Sequence, residues 1–181
     1  LLQNGYETAL HRPSVEAFAV DNNELPIAIE VVSETACPRY AGVSVKGVTV
    51  KESPEWLKNR LTTIGLRPIN NIVDITNYIL HAYGQPLHCF DADKVKGGKV
   101  VVKTMPEGTP FVTLDGVEHK LSERDLAICN AEEPMCIAGV FGGKGSGRFG
   151  GMTAGATVGE SRVLFARIDE KAKMAELDAI R

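Results

Sequence analysis

Five side chains between Asn70 and His88 are of types that do chemistry and are spaced to act together. Asn70, Asp74, Asn77 and His81 recur at steps of four, three and four, so on a helix they share one face. A merely solvated helix face usually carries Lys and Glu. A face of Asn, Asp and His suits hydrogen bonding to a specific partner. His88 follows Gly84-Gln85-Pro86, a helix stop and a turn, which can return it to that face. The same residues admit a plainer reading. Asn and Asp at a helix start often bond local backbone, and a lone histidine is often structural.

Other chemistries find less support. Cys89 beside His88 is not a thiol–base pair, because adjacent side chains of an extended segment point to opposite sides. There is no Gly-x-Ser-x-Gly nucleophile elbow. Cys37, Cys89, Cys129 and Cys136 form no Cys-x-x-Cys pair, so neither a structural zinc site nor a disulfide framework is expected, and the thiols fit a reducing cytoplasm. Gly142-Gly143-Lys144-Gly145-Ser146-Gly147 resembles a phosphate loop only loosely, since Gly145 separates the lysine from the serine. Those glycines fit a backbone that something approaches closely. Arg39 suits a phosphate or carboxylate ligand or an ordinary surface position, and His119 an exposed, inert one.

The elements that must position these groups are legible. Ser53-Pro54-Glu55 starts a helix, with Ser53 as cap and Trp56, Leu57, Leu61 and Ile64 as its buried face, and Gly65 ends it. A second helix is predicted near 70–83, with Ile72, Ile75, Ile79 and Tyr83 as its apolar stripe. Strands are expected before Asp21-Asn22-Asn23, at 27–32, and at 41–50 with a bulge at Gly47. After Asp93 the pattern is β: 99–104, a hairpin 111–121 turning at Asp115-Gly116 in a primed turn, then 126–129 and 135–141. A strand at 163–168 and a helix from Asp169 to Arg181 close the chain. These elements make an α+β fold, with mixed, mainly antiparallel sheets packed with a few helices.

The wording of two segments carries a family resemblance. Arg67-Pro-Ile-Asn-Asn-Ile-Val-Asp-Ile-Thr-Asn-Tyr78, followed by Gly84-Gln-Pro-Leu-His-Cys-Phe-Asp91, resembles the editing module of the bacterial phenylalanyl-tRNA synthetase beta chain, formed by its third and fourth B domains. The resemblance reaches back to Cys37-Pro38-Arg39-Tyr40, forward through Thr113-Leu114-Asp115-Gly116 to Ala138–Gly143, and fades after Gly147. It implies that residues 1–181 are one editing-type module of a larger beta chain, two interleaved subdomains (about 1–98 and 99–181) being the alternative division.

The resemblance also implies an activity: hydrolysis of tyrosine wrongly esterified to phenylalanine tRNA. Such a second sieve serves where a synthetic site cannot reject a near-isostere. Arg67, Asn77 and His88 match the catalytic positions, with His88 orienting water or the terminal ribose and Arg67 holding a phosphate. Gly139 and Gly142 would let substrate approach and offer N–H groups to its carbonyl oxygen, and Glu160 would accept the tyrosine hydroxyl. The implied partners are the tRNA(Phe) acceptor end, tyrosine as the editing ligand and the synthetase alpha chain. The module itself needs no cofactor, whereas the parent enzyme uses ATP and Mg. Two alternatives stand beside this reading: a non-catalytic structural or tRNA-binding module, and a stand-alone aminoacyl-tRNA deacylase.

Composition bounds these readings. The chain has 181 residues, 44% of them hydrophobic, enough for one well-buried domain or two small ones sharing a core. No stretch approaches the roughly 20 apolar residues of a membrane span, so no membrane partner is expected, and the reduced thiols lead to the expectation of a cytoplasmic location. A net charge of -3 does not announce a nucleic-acid binder, though other domains can hold most of a tRNA. The opening Leu1-Leu2-Gln3, without an initiator Met, fits a piece of a longer protein.

Overall fold

A computed structural model describes residue 14, residues 16–84 and 86–145, and the backbone of Ser161–Ile168. Two helices and three sheets give an α+β fold. In chain order these are β1 (Ala28–Val31), β2 (Tyr40–Val48), α1 (Glu55–Thr63), α2 (Asn71–Tyr83), β3 (His88–Asp91), β4 (Lys99–Thr104), β5 (Thr109–Val112), β6 (Glu118–Leu121), β7 (Leu126–Cys129), β8 (Pro134–Ile137), β9 (Phe141–Gly142) and β10 (Ser161–Ile168). Residues 16–20 form no strand, contrary to the alternation ahead of Asp21. The expected helix 169–181 lies outside the described residues.

The largest sheet runs β1-β4-β7-β8-β9, with β1 parallel to β4 and the rest antiparallel. β4 lies inside it, and its Val100-Val101-Val102 run is buried on both faces. Val100 and Val102 join Ile128, Cys136, Met135, Phe90, Tyr40 and Cys37 in the main core, while Val101 packs with Ala127 and Cys129 on the other face. A second sheet places β10 between β2 and β3. The bulge expected at Gly47 is present: the β2–β10 register slips between Val45 and Val48, and Gly47 has φ 74°.

Three local expectations are corrected. Of the expected buried face of α1 only Leu57 and Leu61 are buried, while Trp56 and Ile64 are exposed, Trp56 packing edge-on against Tyr78 of α2 at the surface. Ser53 does not cap α1, whose N-cap Pro54 makes no side-chain bond. Instead the Ser53 hydroxyl donates to Asp74 Oδ2 at 2.5 Å. The β5–β6 hairpin does not use a primed turn, because Asp115 keeps a negative φ and only Gly116 is left-handed, at 85°. The Asp115 carboxylate accepts from Thr113 Oγ1 and Val117 N–H, and Gly116 N–H closes on the Thr113 carbonyl. This is the pattern of a type I turn followed by a glycine bulge.

Among the described residues the core carries one orphan. The Tyr40 hydroxyl is buried with no hydrogen-bond partner among the described residues, and burial, with Cys136 and Cys37 nearby, raises its pKa. Tyr40→Phe is therefore expected to stabilise the fold by about 1 kcal/mol. A urea midpoint equal to or below that of the parent would refute this.

Candidate functional site

The polar face of α2 divides by depth. Asn70 is fully buried and caps the helix, its side-chain oxygen accepting from Ile72 and Val73 N–H at 3.1 and 3.0 Å. Asp74 is equally buried; besides Ser53 it accepts from Ile69 N–H at 2.9 Å, tying the α1–α2 link to the helix. His81 is exposed near the helix end. The plainer reading thus holds for Asn70 and Asp74, whereas Asn77 lines a cavity that Asn70, Asp74 and His81 do not line. The apolar stripe is corrected too. Ile72 is buried, but Ile75 and Tyr83 are 39% and 49% exposed, because the sheet meets the Ile72–Asp74 side of the helix.

That cavity, of about 340 Å³, is built by three segments. α2 contributes Thr76, Asn77 and Leu80. The following turn and strand give Pro86, Leu87 and His88, and the β8–β9 turn gives Gly139 to Gly142. Leu114, from the β5–β6 loop, closes one side. Its size falls within the range of small-molecule sites. Leu80, Leu87, Leu114 and Phe141 make an apolar wall, and Asn77 and His88 supply side-chain hydrogen-bonding groups. Asn77 makes no side-chain hydrogen bond to another described residue, so its amide can serve a ligand.

The β8–β9 turn is the least expected part of this site. Residues 135–141 read as one strand. The structure instead breaks it after Ile137 and folds Phe141-Gly142 back onto Ile137 and Cys136. Gly139 makes this possible with φ 71°, a conformation that costs other residues about 1 kcal/mol or more. Gly139 N–H donates to His88 Nε2 at 2.9 Å, across 51 positions of sequence. That N–H is therefore engaged by the histidine rather than turned to a substrate carbonyl. Because Nε2 accepts, a neutral His88 carries its proton on Nδ1. The ring also stacks on Phe90, with centroids 6.3 Å apart.

Of the residues singled out by sequence, Asn77, His88, Gly139 and Gly142 come together here. Arg67 does not line the cavity. It is exposed on the link before α2, whereas Asn77 lies about 9 Å along the helix axis from the first residue of α2. Glu160 lies outside the described residues. Sequence reasoning missed Thr76, Leu80, Leu114, Val140 and Phe141. Thr76 adjoins Asn77 in the motif, but nothing local marks Leu114 as a wall. Burial pushes the Cys89 thiol pKa up and Asp91 adds to the shift, which disfavours the thiolate a nucleophile needs. Among the described residues no His, Cys, Asp and Glu cluster could hold a metal ion, and no helix is long and apolar enough to cross a membrane.

Gly142 of β9 and Gly143 just after it are glycines for different reasons. A Cβ on Gly142 would lie 2.9 Å from Leu114 Cδ1, the end of a half-exposed side chain that can move. A Cβ on Gly143 would lie 2.7 Å from the Met135 carbonyl oxygen and 2.9 Å from Phe111 Cζ, which cannot. Gly143→Ala is expected to lower the melting temperature by about 8 °C, and Gly142→Ala by about 2 °C or less. Equal shifts would contradict this account.

Comparison with known proteins places this architecture. Residues 36–148 match the model of the B3/4 domain, and the chain belongs to that family. It is 74% identical over 147 residues to the phenylalanine–tRNA ligase beta subunit of Bacteroides fragilis, a match covering 81% of this chain and 18% of that subunit. The corresponding subunits of Bacteroides thetaiotaomicron and Porphyromonas gingivalis are 71% and 57% identical, again with 81% of this chain and 18% of theirs. The chain is thus a B3/4 region of the phenylalanine–tRNA ligase beta-subunit type, spanning about a fifth of those relatives' length.

Proposed function

We propose that this module hydrolyses tyrosine esterified to tRNA(Phe), as the editing part of a phenylalanine–tRNA ligase beta subunit. The observation that carries this reading is the cavity in which Asn77, His88, Gly139 and Gly142 converge from three segments. An apolar wall suits an aromatic side chain, and the hydrogen-bonding groups suit an ester and a ribose.

An aminoacyl ester is already activated, so little acid or base strength is needed. Holding a water and the ester in reacting geometry supplies much of the acceleration. His88, fixed by Gly139 N–H, orients that water or the terminal ribose. Asn77 bonds the ester or ribose. Gly142, without a Cβ, leaves room for the substrate beside Leu114. Glu160 accepts the phenol, and Arg67, outside the cavity, holds a phosphate of the acceptor end. Selection then rests on hydrogen bonding the hydroxyl that distinguishes tyrosine from phenylalanine.

The parent protein, in this reading, attaches phenylalanine to tRNA(Phe) with ATP and Mg, pairs with an alpha chain and works in the cytoplasm. The test is hydrolysis of tyrosyl-tRNA(Phe) against phenylalanyl-tRNA(Phe) by this chain. Selective loss of the tyrosyl ester supports editing. No hydrolysis by a folded chain favours the non-catalytic, tRNA-binding role.

A further inference from the structure

The bond from Gly139 N–H to His88 Nε2 joins two sheets. His88 opens β3 in the three-stranded sheet, and Gly139 lies in the β8–β9 turn of the five-stranded one. Two other backbone bonds of this turn run elsewhere. Val140 N–H donates to the Ile137 carbonyl at 3.0 Å, and Ala138 N–H to that of Leu126 at 2.8 Å. Neither reaches β3, whereas the imidazole does. Packing adds little at the tip, where Val140 is 71% exposed and Phe141 41%. A segment with so few buried contacts is one that opens locally when a hydrogen bond is lost.

The bond depends on protonation. A neutral imidazole has one acceptor nitrogen, here Nε2, and an imidazolium has none. Protonated His88 would set an N–H against the Gly139 N–H at 2.9 Å, so the proton and the contact exclude each other. The folded chain therefore takes up this proton less readily than the unfolded chain. The stability it contributes is present at neutral pH and is lost as pH falls through the histidine range. Among the described residues that line the cavity, His88 is the one titratable side chain. Thr76, Asn77 and Leu80 face it from α2, Pro86 and Leu87 precede it, and Leu114 and the 139–142 turn complete the lining. On β3 itself, Cys89 and Asp91 alternate to the face opposite His88 and Phe90. On β10, Ala166 is the register partner of His88, and Arg167 follows it in the chain.

We infer that the His88–Gly139 bond is an acid-sensitive latch on this cavity: neutral His88 holds the β8–β9 turn against β3, and protonation releases the turn. Gly139, Val140, Phe141 and Gly142 are consecutive and all line the cavity, so a released turn takes one wall with it. The latch itself follows from the geometry of the bond. Its consequence, that acid silences hydrolysis, rests on the editing reading.

The test is NMR and amide hydrogen exchange on the whole chain between about pH 7.5 and 5, either side of the ordinary histidine value. At the neutral end the ring ¹⁵N signals of His88 should show the proton on Nδ1. On acidification the protection of Gly139 N–H, corrected for the intrinsic pH dependence of exchange, should fall about tenfold, the worth of one hydrogen bond. Amides of β4, inside the core sheet, should keep theirs. In His88→Gln an amide oxygen accepts from Gly139 N–H and does not titrate, so protection should persist in acid. His81→Gln, which removes an exposed histidine of α2, should behave as the parent. Hydrolysis of tyrosyl-tRNA(Phe) by the parent should fall with the turn, about tenfold. A proton on Nε2 at neutral pH, Gly139 protection unmoved by acid, or an equal loss in His88→Gln overturns the latch. So does a released turn with hydrolysis undiminished. If His88→Gln does not fold, the parent decides alone: a protonated His88 with Gly139 still protected overturns the latch. A chain whose turn titrates as expected but that hydrolyses no tyrosyl-tRNA(Phe) at any pH defeats the editing reading alone. One that hydrolyses it selectively with no response at Gly139 defeats the latch alone.

Discussion

Replacing His88 by alanine is expected to lower kcat/KM for tyrosyl-tRNA(Phe) hydrolysis at least 100-fold, a loss of about 2.7 kcal/mol of transition-state stabilisation. Two effects combine. The imidazole that orients water or ribose disappears from the cavity wall, and Gly139 N–H loses its acceptor at 2.9 Å. The second effect loosens the turn that carries Gly139 and Gly142. His88→Gln separates them, since a glutamine oxygen can accept from Gly139 N–H without restoring an imidazole. The glutamine variant should recover the melting temperature lost by His88→Ala, about 1 kcal/mol in stability terms, and remain poorly active. Full activity in either variant would remove His88 from the chemistry. Activity recovered together with stability in His88→Gln would make the histidine a structural support only.

The largest effect on stability is expected at Asp74. Its side chain is fully buried, accepts from Ser53 Oγ and Ile69 N–H, and so joins the start of α1, the α1–α2 link and α2 through one carboxyl group. Asp74→Ala strands a buried hydroxyl and a partly buried backbone N–H, and leaves a small void. The expected destabilisation is about 3–4 kcal/mol, read from urea unfolding. Asp74→Asn keeps one oxygen for Ile69 N–H and offers an amide donor to Ser53, so about half that cost is expected. If Asp74→Ala unfolds within 0.5 kcal/mol of the parent, roughly the scatter of a neutral surface change, the network is not what holds the link. Arg67 lies on that link, two residues before Ile69, so the same variant should also disturb its placement.

Much of the scaffold was legible in the chain. Helical spacing, Gly65, Gly84 and the Pro54 start placed both helices within a residue or two, since caps and breakers act within one turn. The Val100-Val101-Val102 run announced a strand, and Gly47 announced the bulge in β2. The wording around Arg67 and His88 also pointed to the family that the comparisons establish.

What the residues could not say alone was which polar group turns where. Asn70, Asp74 and Asn77 are alike in type and spacing, yet two are absorbed by a cap and a buried network and one opens to a cavity. That choice depends on where Ser53 and the sheet approach α2, contacts some twenty residues or more away in sequence. The break at Gly139 was hidden for the same reason. Residues 135–141 carry a strand-like local pattern, and their reversal is stabilised by β8–β9 pairing and by a histidine 51 residues away. Local propensity is set by a few neighbouring dihedrals and is written in the sequence. The direction of a side chain within a packed interior is set by long-range contacts, and only the tertiary structure decides it.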